Sequence, residues 1–399
     1  MLPTTFPALT TIIPMAILLF RFANWLALLL LLGACVQPYE PTILRSTKPL
    51  LVVDGFINGS GITAIRLTRS LKLEEQTGFP PETGALLRIE AASGQQYKLR
   101  ETMAGTYESA ALVLPAGQRY RLHITTRARR EYASDFTLLK STPPLDAFRA
   151  QVEPSGVQLY LSTHDDTGSS QYYRWQYEET WEFTSAHDSR WRYLGNKQMV
   201  RRKENIYRCW RTESAANIKT FSTLRLQQDA VRDYRLLFVP ATAIRLRYRY
   251  SIIVHQYALA REEFDYWEAV KKNTDNLGTL FDPLPSQIQG NVHALADESE
   301  PVLGFVGAAT VREQRLFINR AQLPFEWQFV DDIYRTCVDV DTFPSARYKP
   351  SDWTYDEMFG DSVARMPVAR IGPGETYTGQ TQACVDCRLH GSNVSPSFW

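Results

Sequence analysis

Between Leu50 and Leu139 short stretches rich in β-branched and aromatic residues follow one another with turn signals between them, and no other feature narrows the possible folds as much. The runs are Leu50 to Ile57 ahead of Asn58-Gly59, Thr63 to Ser70, Ala85 to Ala91 ahead of Ser93-Gly94, Gln96 to Glu101, Gly105 to Ser109, Arg119 to Thr126 and Tyr132 to Leu139. A turn signal every 12 residues or so is the spacing of an immunoglobulin-like sandwich. In one run Tyr120, Leu122 and Ile124 alternate with Arg119, Arg121 and His123, giving one apolar and one wet face. The expected fold is mainly β, with an N-terminal immunoglobulin-like β-sandwich over residues 50–140.

Paired prolines in Ser141-Thr-Pro143-Pro144-Leu-Asp break the ladder and mark a boundary. Beyond it, residues 145–399 read as a larger β-rich domain with fibronectin-like strands. Aromatic residues make up 12% of the chain, and they crowd most between Tyr172 and Thr184. Tyr173, Trp175, Tyr177 and Trp181 fall on one strand face, so they form either sheet core or an aromatic ligand surface. Three arginines, Arg245, Arg247 and Arg249, alternate along another run like a basic stripe on one strand face, and are expected either as solvated edge charges or in pairs with carboxylates such as Asp229 and Asp233. One inserted helix is expected at about 260–277: Phe264, Trp267 and Val270 have helical spacing, Glu262 and Glu263 sit in the first turn, and Gly278 closes the end. From 324 to 399 periodic runs are few, and an irregular tail is expected there.

Ahead of all this, Leu26 to Cys35 reads Leu-Ala-Leu-Leu-Leu-Leu-Leu-Gly-Ala-Cys. Arg21 and Asn24 interrupt the apolar run, which is too short for a membrane span of ~20 residues and suits a cleaved signal. Leu32-Gly33-Ala34-Cys35 has the form of a lipobox, so residues 1–34 are expected as a lipoprotein signal peptide and Cys35 as the lipidated N-terminus of a tether over 35–49. Met15 competes with Met1 as the start, since the segment before it is uncharged and holds three prolines. With 44 basic against 43 acidic residues the chain has no global electrostatic reason to bind nucleic acid.

Four further cysteines remain: Cys209, Cys337, Cys384 and Cys387. In an exported protein an even count reads as two disulfides, with Cys337 preferred as the partner of one member of the Cys384-Val-Asp-Cys387 pair and Cys209 as partner of the other. A zinc site would need a second closely spaced pair, which Cys209 and Cys337 do not form, so no metal and no cofactor is expected. The motifs Gly-x-Ser-x-Gly and His-Glu-x-x-His are absent, and the six histidines are scattered singly. His164 and His187 alone adjoin carboxylates in the sequence, both in turn-like stretches. No catalytic residue is assigned.

Leu51-Val-Val-Asp-Gly-Phe56, Leu67-Thr-Arg-Ser70, Cys209-Trp210, Arg247 to Tyr257, Phe264 to Trp267, Leu280-Phe-Asp-Pro-Leu-Pro-Ser286, Pro301-Val-Leu-Gly-Phe305 and Cys384-Val-Asp-Cys-Arg-Leu389 together resemble a family of Bacteroidota outer-membrane lipoproteins, the domain-of-unknown-function 4249 family. The resemblance implies a β-rich, lipid-anchored outer-membrane protein. Members are commonly encoded beside TonB-dependent receptors, which implies a part in nutrient capture or receptor gating. The expected function is thus an accessory or ligand-capture subunit of a TonB-dependent transporter, held to the membrane by its N-terminal lipid and acting by binding. The alternatives are a secreted hydrolase with a site assembled from distant residues and a structural envelope or adhesion lipoprotein.

Overall fold

Alternation puts Leu51, Val53, Leu87, Ile89, Tyr120, Leu122 and Ile124 on the inner side of their strands, and all of them join one buried cluster. In the computed structural model the described residues are 49–71, 78–275, 288–343, 355–360, 363–374 and 376–399. The signal segment, Cys35 and nearly all of the tether lie outside them, as does the end of the expected helix beyond 275. Among the described residues no helix is long and apolar enough to cross a membrane.

The chain is mainly β. The first part contributes β1 (Leu51–Gly55), β2 (Ile57–Asn58), β3 (Ala64–Arg69), β4 (Leu86–Ala91), β5 (Gln96–Met103), β6 (Thr106–Ser109), β7 (Arg119–Thr125), β8 (Glu131–Ser134) and β9 (Thr137–Leu138). Then come β10 (Leu145–Glu153), β11 (Gly156–His164), β12 (Tyr172–Thr184), β13 (Trp191–Tyr193), β14 (Met199–Arg201), β15 (Arg208–Ser214), β16 (Lys219–Ser222), β17 (Ala230–Pro240), β18 (Arg249–Ala258) and helix α1 (Arg261–Asp275). The remainder supplies β19 (Val292–Ala294), β20 (Val302–Leu303), β21 (Ala308–Ala309), β22 (Val311–Asn319), β23 (Asp341–Phe343), α2 (Tyr355–Phe359), β24 (Arg365–Ile371), β25 (Thr376–Thr381) and α3 (Gln382–Val385).

The N-terminal body is a continuous sheet in the order β19-β8-β7-β4-β5-β6-β3-β1-β20, curled over its own core. Its two outermost strands come from beyond α1: β19 runs antiparallel to β8 and β20 parallel to β1, while β21 runs parallel to β2. Residues 292–309, expected from the sequence within the second domain, therefore return to complete the first. Gly304 makes this return possible, because its φ is +119° and a Cβ there would lie 1.9 Å from the Val53 carbonyl oxygen.

In the second body β10-β11-β17 faces β15-β12-β18-β22, with β16 beside β12. The inner faces of the two sheets share a core that includes Leu159, Leu161, Trp175, Ile252 and Val254. The tail is more regular than expected. It holds a small antiparallel sheet, β23-β25-β24, with its own cluster of Phe343, Met358, Phe359 and Tyr377, and two short helices beside the one predicted. The disulfide Cys209–Cys387 fastens this tail to β15 of the second sandwich, and Cys337–Cys384 closes a loop within the tail. The sequence left the pairing open, because the two cysteines of the C-x-x-C motif are indistinguishable by spacing; in the fold each takes a different distant partner.

Candidate functional site

Helix α1 follows β18 after a two-residue step and carries aromatic residues on more than one side. Phe264 packs on Tyr172 at 4.9 Å between ring centroids, and Tyr266 meets Phe305 at 5.3 Å and Trp267 at 5.4 Å. Phe305 belongs to the segment that returns to the first sheet, so α1 is wedged between the two bodies. Beside it opens a cleft of about 920 Å³, whose walls include Tyr172, Tyr266, Phe305, Phe136, Lys140 and Glu262. Ring faces and a few fixed charges in a concave site of this size suit a polar ligand with apolar faces, such as a sugar or a short peptide.

The charged rim is held in place from behind. Lys140 donates from Nζ to the Ser169 carbonyl oxygen. Burial lowers its pKa, opposed by the carboxylates of Asp165, Asp229 and Glu262. The loop carrying Ser169 and Ser170 is wound about Asp165, which accepts from Thr167 Oγ1 at 2.6 Å and from Ser170 Oγ at 2.7 Å. Burial would raise the Asp165 carboxyl, but the hydrogen bonds from Thr167, Ser170 and Ser169 hold it well below the usual carboxylate range. Asp229 braces the same region, accepting from the Gln171 backbone at 2.9 Å and from the Tyr173 hydroxyl at 2.8 Å.

On the far side of α1 sits a buried charge pair. Arg174 is 5% exposed, with its guanidinium over the rings of Trp267 at 4.2 Å and Tyr257 at 4.8 Å. Its Nε has no hydrogen-bond partner among the described residues. Glu263, 4% exposed, accepts from Trp267 Nε1 at 3.4 Å. Burial lowers the Arg174 pKa and raises that of Glu263, each opposed by the charge of the other. Gly307 lies so close that a Cβ there would stand 2.0 Å from Glu263 Oε2. The pair thus sits where α1, β12, β18 and the returning segment converge.

The two histidines that adjoin carboxylates in the sequence sit in different surroundings. His164 Nδ1 meets Asp146 at 2.7 Å and Nε2 meets Asp166 at 3.7 Å, so both ring nitrogens face carboxylates. The hydrogen bond and charge of Asp146 raise its pKa. His187 Nε2 contacts the Cys337 carbonyl oxygen at 2.9 Å, a contact beside a disulfide.

Tyr173, Trp175, Tyr177 and Trp181 form no ligand surface, since all four are buried in the core of the second sandwich. Their shared strand face turns toward β10-β11-β17 rather than outward, and Trp175 Nε1 donates to Gln256 Oε1 at 2.8 Å within that interior. Arg245, Arg247 and Arg249 do not share one strand face. Residues 244–246 form a 3-10 turn, Arg245 pairs with Glu179 at 2.8 Å, and Arg249 lies over Phe317 at 4.5 Å. Asp233 pairs with Arg149 instead. Lys140, Phe136, Tyr266 and Phe305 come from distant segments that sequence alone does not join, and the Phe264–Trp267 cluster is the one sequence signal that points toward the cleft.

Residues 36–315 match the family described as "Domain of unknown function (DUF4249)". The chain belongs to the DUF4249 family. No curated protein matches it significantly. Among solved structures it is similar to a DUF4785 family protein from Legionella pneumophila, with 10% identity, 51% of each chain covered and a TM-score of 0.17. It is also similar to chitinase ChiA74 from Bacillus thuringiensis, with 11% identity, 51% of this chain and 29% of that one covered and a TM-score of 0.15. The DUF4249 chain thus spans about half the length of the first of these and less of the second. Similarity at this level carries no argument about activity.

Proposed function

We propose that this DUF4249 protein is an outer-membrane lipoprotein, anchored through Cys35, that acts as an accessory or ligand-capture subunit of a TonB-dependent transporter by binding rather than catalysis. The lipobox at Leu32 to Cys35 and the resemblance described above support the address and the partner. The observation that carries the binding mode is the 920 Å³ cleft beside α1, with Tyr172, Tyr266 and Phe305 on its walls and Lys140 and Glu262 at its rim. Because its walls come from both bodies, a ligand there would also stiffen their junction. A tether would hold the cleft near a receptor and raise its effective concentration there.

The test is thermal unfolding of the mature chain with a panel of oligosaccharides and short peptides. A ligand at about a hundred times its Kd adds about 2.7 kcal/mol to stability, a readable shift. Tyr266→Ala should lower the unliganded transition, since its ring packs on Phe305, and should abolish the further shift that ligand adds to it. A shift that survives Tyr266→Ala and Lys140→Ala places binding elsewhere, and no shift with any member of either class contradicts a cleft built for them.

A further inference from the structure

The described fold begins at one end of the first sandwich, and that end carries an unusual set of side chains. Leu50 is fixed there by Ser70: Leu50 N donates to Ser70 Oγ and Ser70 N to the Leu50 carbonyl oxygen, both at 2.9 Å. Arg69 N donates to the Pro80 carbonyl oxygen at 2.8 Å, which brings Phe79 to the same end. Glu101 accepts from both Gly84 N and Gly105 N, tying the start of β4 to the β5–β6 turn and so gathering Leu86 and Met103. The β7–β8 turn, Arg127 to Arg130, lies alongside, with the Arg127 side chain against Gly84. Leu295 N donates to the Glu131 carbonyl oxygen and closes the set.

Phe79, Leu86, Met103 and Leu295 are 63%, 72%, 66% and 50% exposed. Arg127, Arg129 and Arg130 are exposed beside them. Large apolar side chains mixed with arginines at the point where a lipid-bearing tether would join the fold have the composition of a surface that meets a bilayer. We propose that this end of the first sandwich rests on the membrane, with Phe79, Leu86, Met103 and Leu295 at the headgroup–acyl boundary. The proposal builds on the reading that Cys35 carries lipid. The roughly 15 residues from Cys35 to Leu50 reach at most about 50 Å, so anchoring would hold this end no farther than that from the bilayer and allow it to touch. Charge contributes little, because acidic groups answer the arginines. Glu300 pairs with Arg130 at 3.4 Å, Glu82 with Arg69 at 2.6 Å, and Glu101, Glu131, Asp297 and Glu298 share the end. Binding is therefore driven by apolar contact and depends weakly on anionic lipid.

The experiment uses the mature chain with Cys35→Ser, so that acylation does not mask the contact, sedimented with vesicles of phosphatidylethanolamine and phosphatidylglycerol. The chain should partition onto them, and Phe79→Glu with Met103→Glu should lower the partition coefficient by roughly tenfold or more. Val113→Glu with Ile62→Glu, at 91% and 53% exposed positions on the opposite end, should change it less than twofold. Partition no greater than that of the Phe79/Met103 double variant, or equal loss from the opposite end, overturns the proposal. Concentration-dependent self-association removed by the same two substitutions overturns it too, by assigning the patch to a second copy. Incorporation of labelled palmitate by the unaltered protein in cells tests the anchor separately; its absence refutes the lipidation reading whatever the vesicles show.

Discussion

Replacing Glu263 by Gln should destabilise the protein sharply, and replacing Arg174 by Met in the same chain should restore much of the loss. Both side chains are buried, at 4% and 5% exposure, and each is the main counter-charge the other feels. Removing one partner of such a pair leaves an uncompensated buried charge and costs about 3–5 kcal/mol. Removing both relieves two burial penalties at once, so the double variant should lie within about 1 kcal/mol of the original, or above it. Burial pulls each group toward its neutral form and the other's charge pulls it back, so removing both at once avoids the penalty that falls on whichever is left alone. A pH signature follows. The Glu263 pKa is raised above its unfolded value of about 4.3, so its contribution is fully present below that value and is lost as pH rises through the raised one. Urea unfolding of the four proteins of the cycle, repeated at pH 5 and pH 8, measures both effects. Additive losses in the double variant would refute the reasoning, as would a single substitution costing less than about 1 kcal/mol.

Other consequences are as direct. Replacing Cys209 and Cys387 by Ala opens a crosslink spanning 178 positions, and loop entropy puts the loss at about 5 kcal/mol, readable as a lower urea midpoint. His164 should titrate above its ordinary value in an NMR pH series and fall back toward it in Asp146→Asn, while its exposure keeps the effect on stability small. A raised histidine value stabilises below about pH 6.5 and loses that contribution as pH rises through the folded value. Gly304→Ala must hold a left-handed backbone and displace the Val53 carbonyl; it should cost about 1–3 kcal/mol or more and speed amide exchange in β1 and β20.

The period of two in Tyr120 to Ile124 marks the inner face of the first body correctly, but the face expected to be wet is only partly so: His123 there is 4% exposed and Arg121 half-buried. Strands β19 to β21 were harder. Three two- or three-residue strands leave no periodic trace, and their pairing with β1, β2 and β8 depends on where α1 turns the chain. The alternation from Arg245 to Arg249 misled for a related reason: a 3-10 turn at 244–246 rotates Arg245 out of register with Arg249, and a buried carboxylate, Glu179, captures it. Tyr173, Trp175, Tyr177 and Trp181 show the converse limit. Their shared face was readable, yet which side of that face a second sheet would cover is decided by β10, β11 and β17, far away in sequence. The cleft was least legible, since Phe136, Lys140, Tyr172, Tyr266 and Phe305 become neighbours only after the second crossing between the two bodies.

The proposed function puts this chain on the membrane as the partner of a transporter. Its most direct test is purification of the tagged protein from native membranes in mild detergent, with quantitative mass spectrometry of whatever co-elutes. The account predicts a TonB-dependent receptor in near-stoichiometric amount, recovered with the unaltered protein and lost with Cys35→Ser. Recovery of the protein from the membrane fraction with no receptor at all would contradict it.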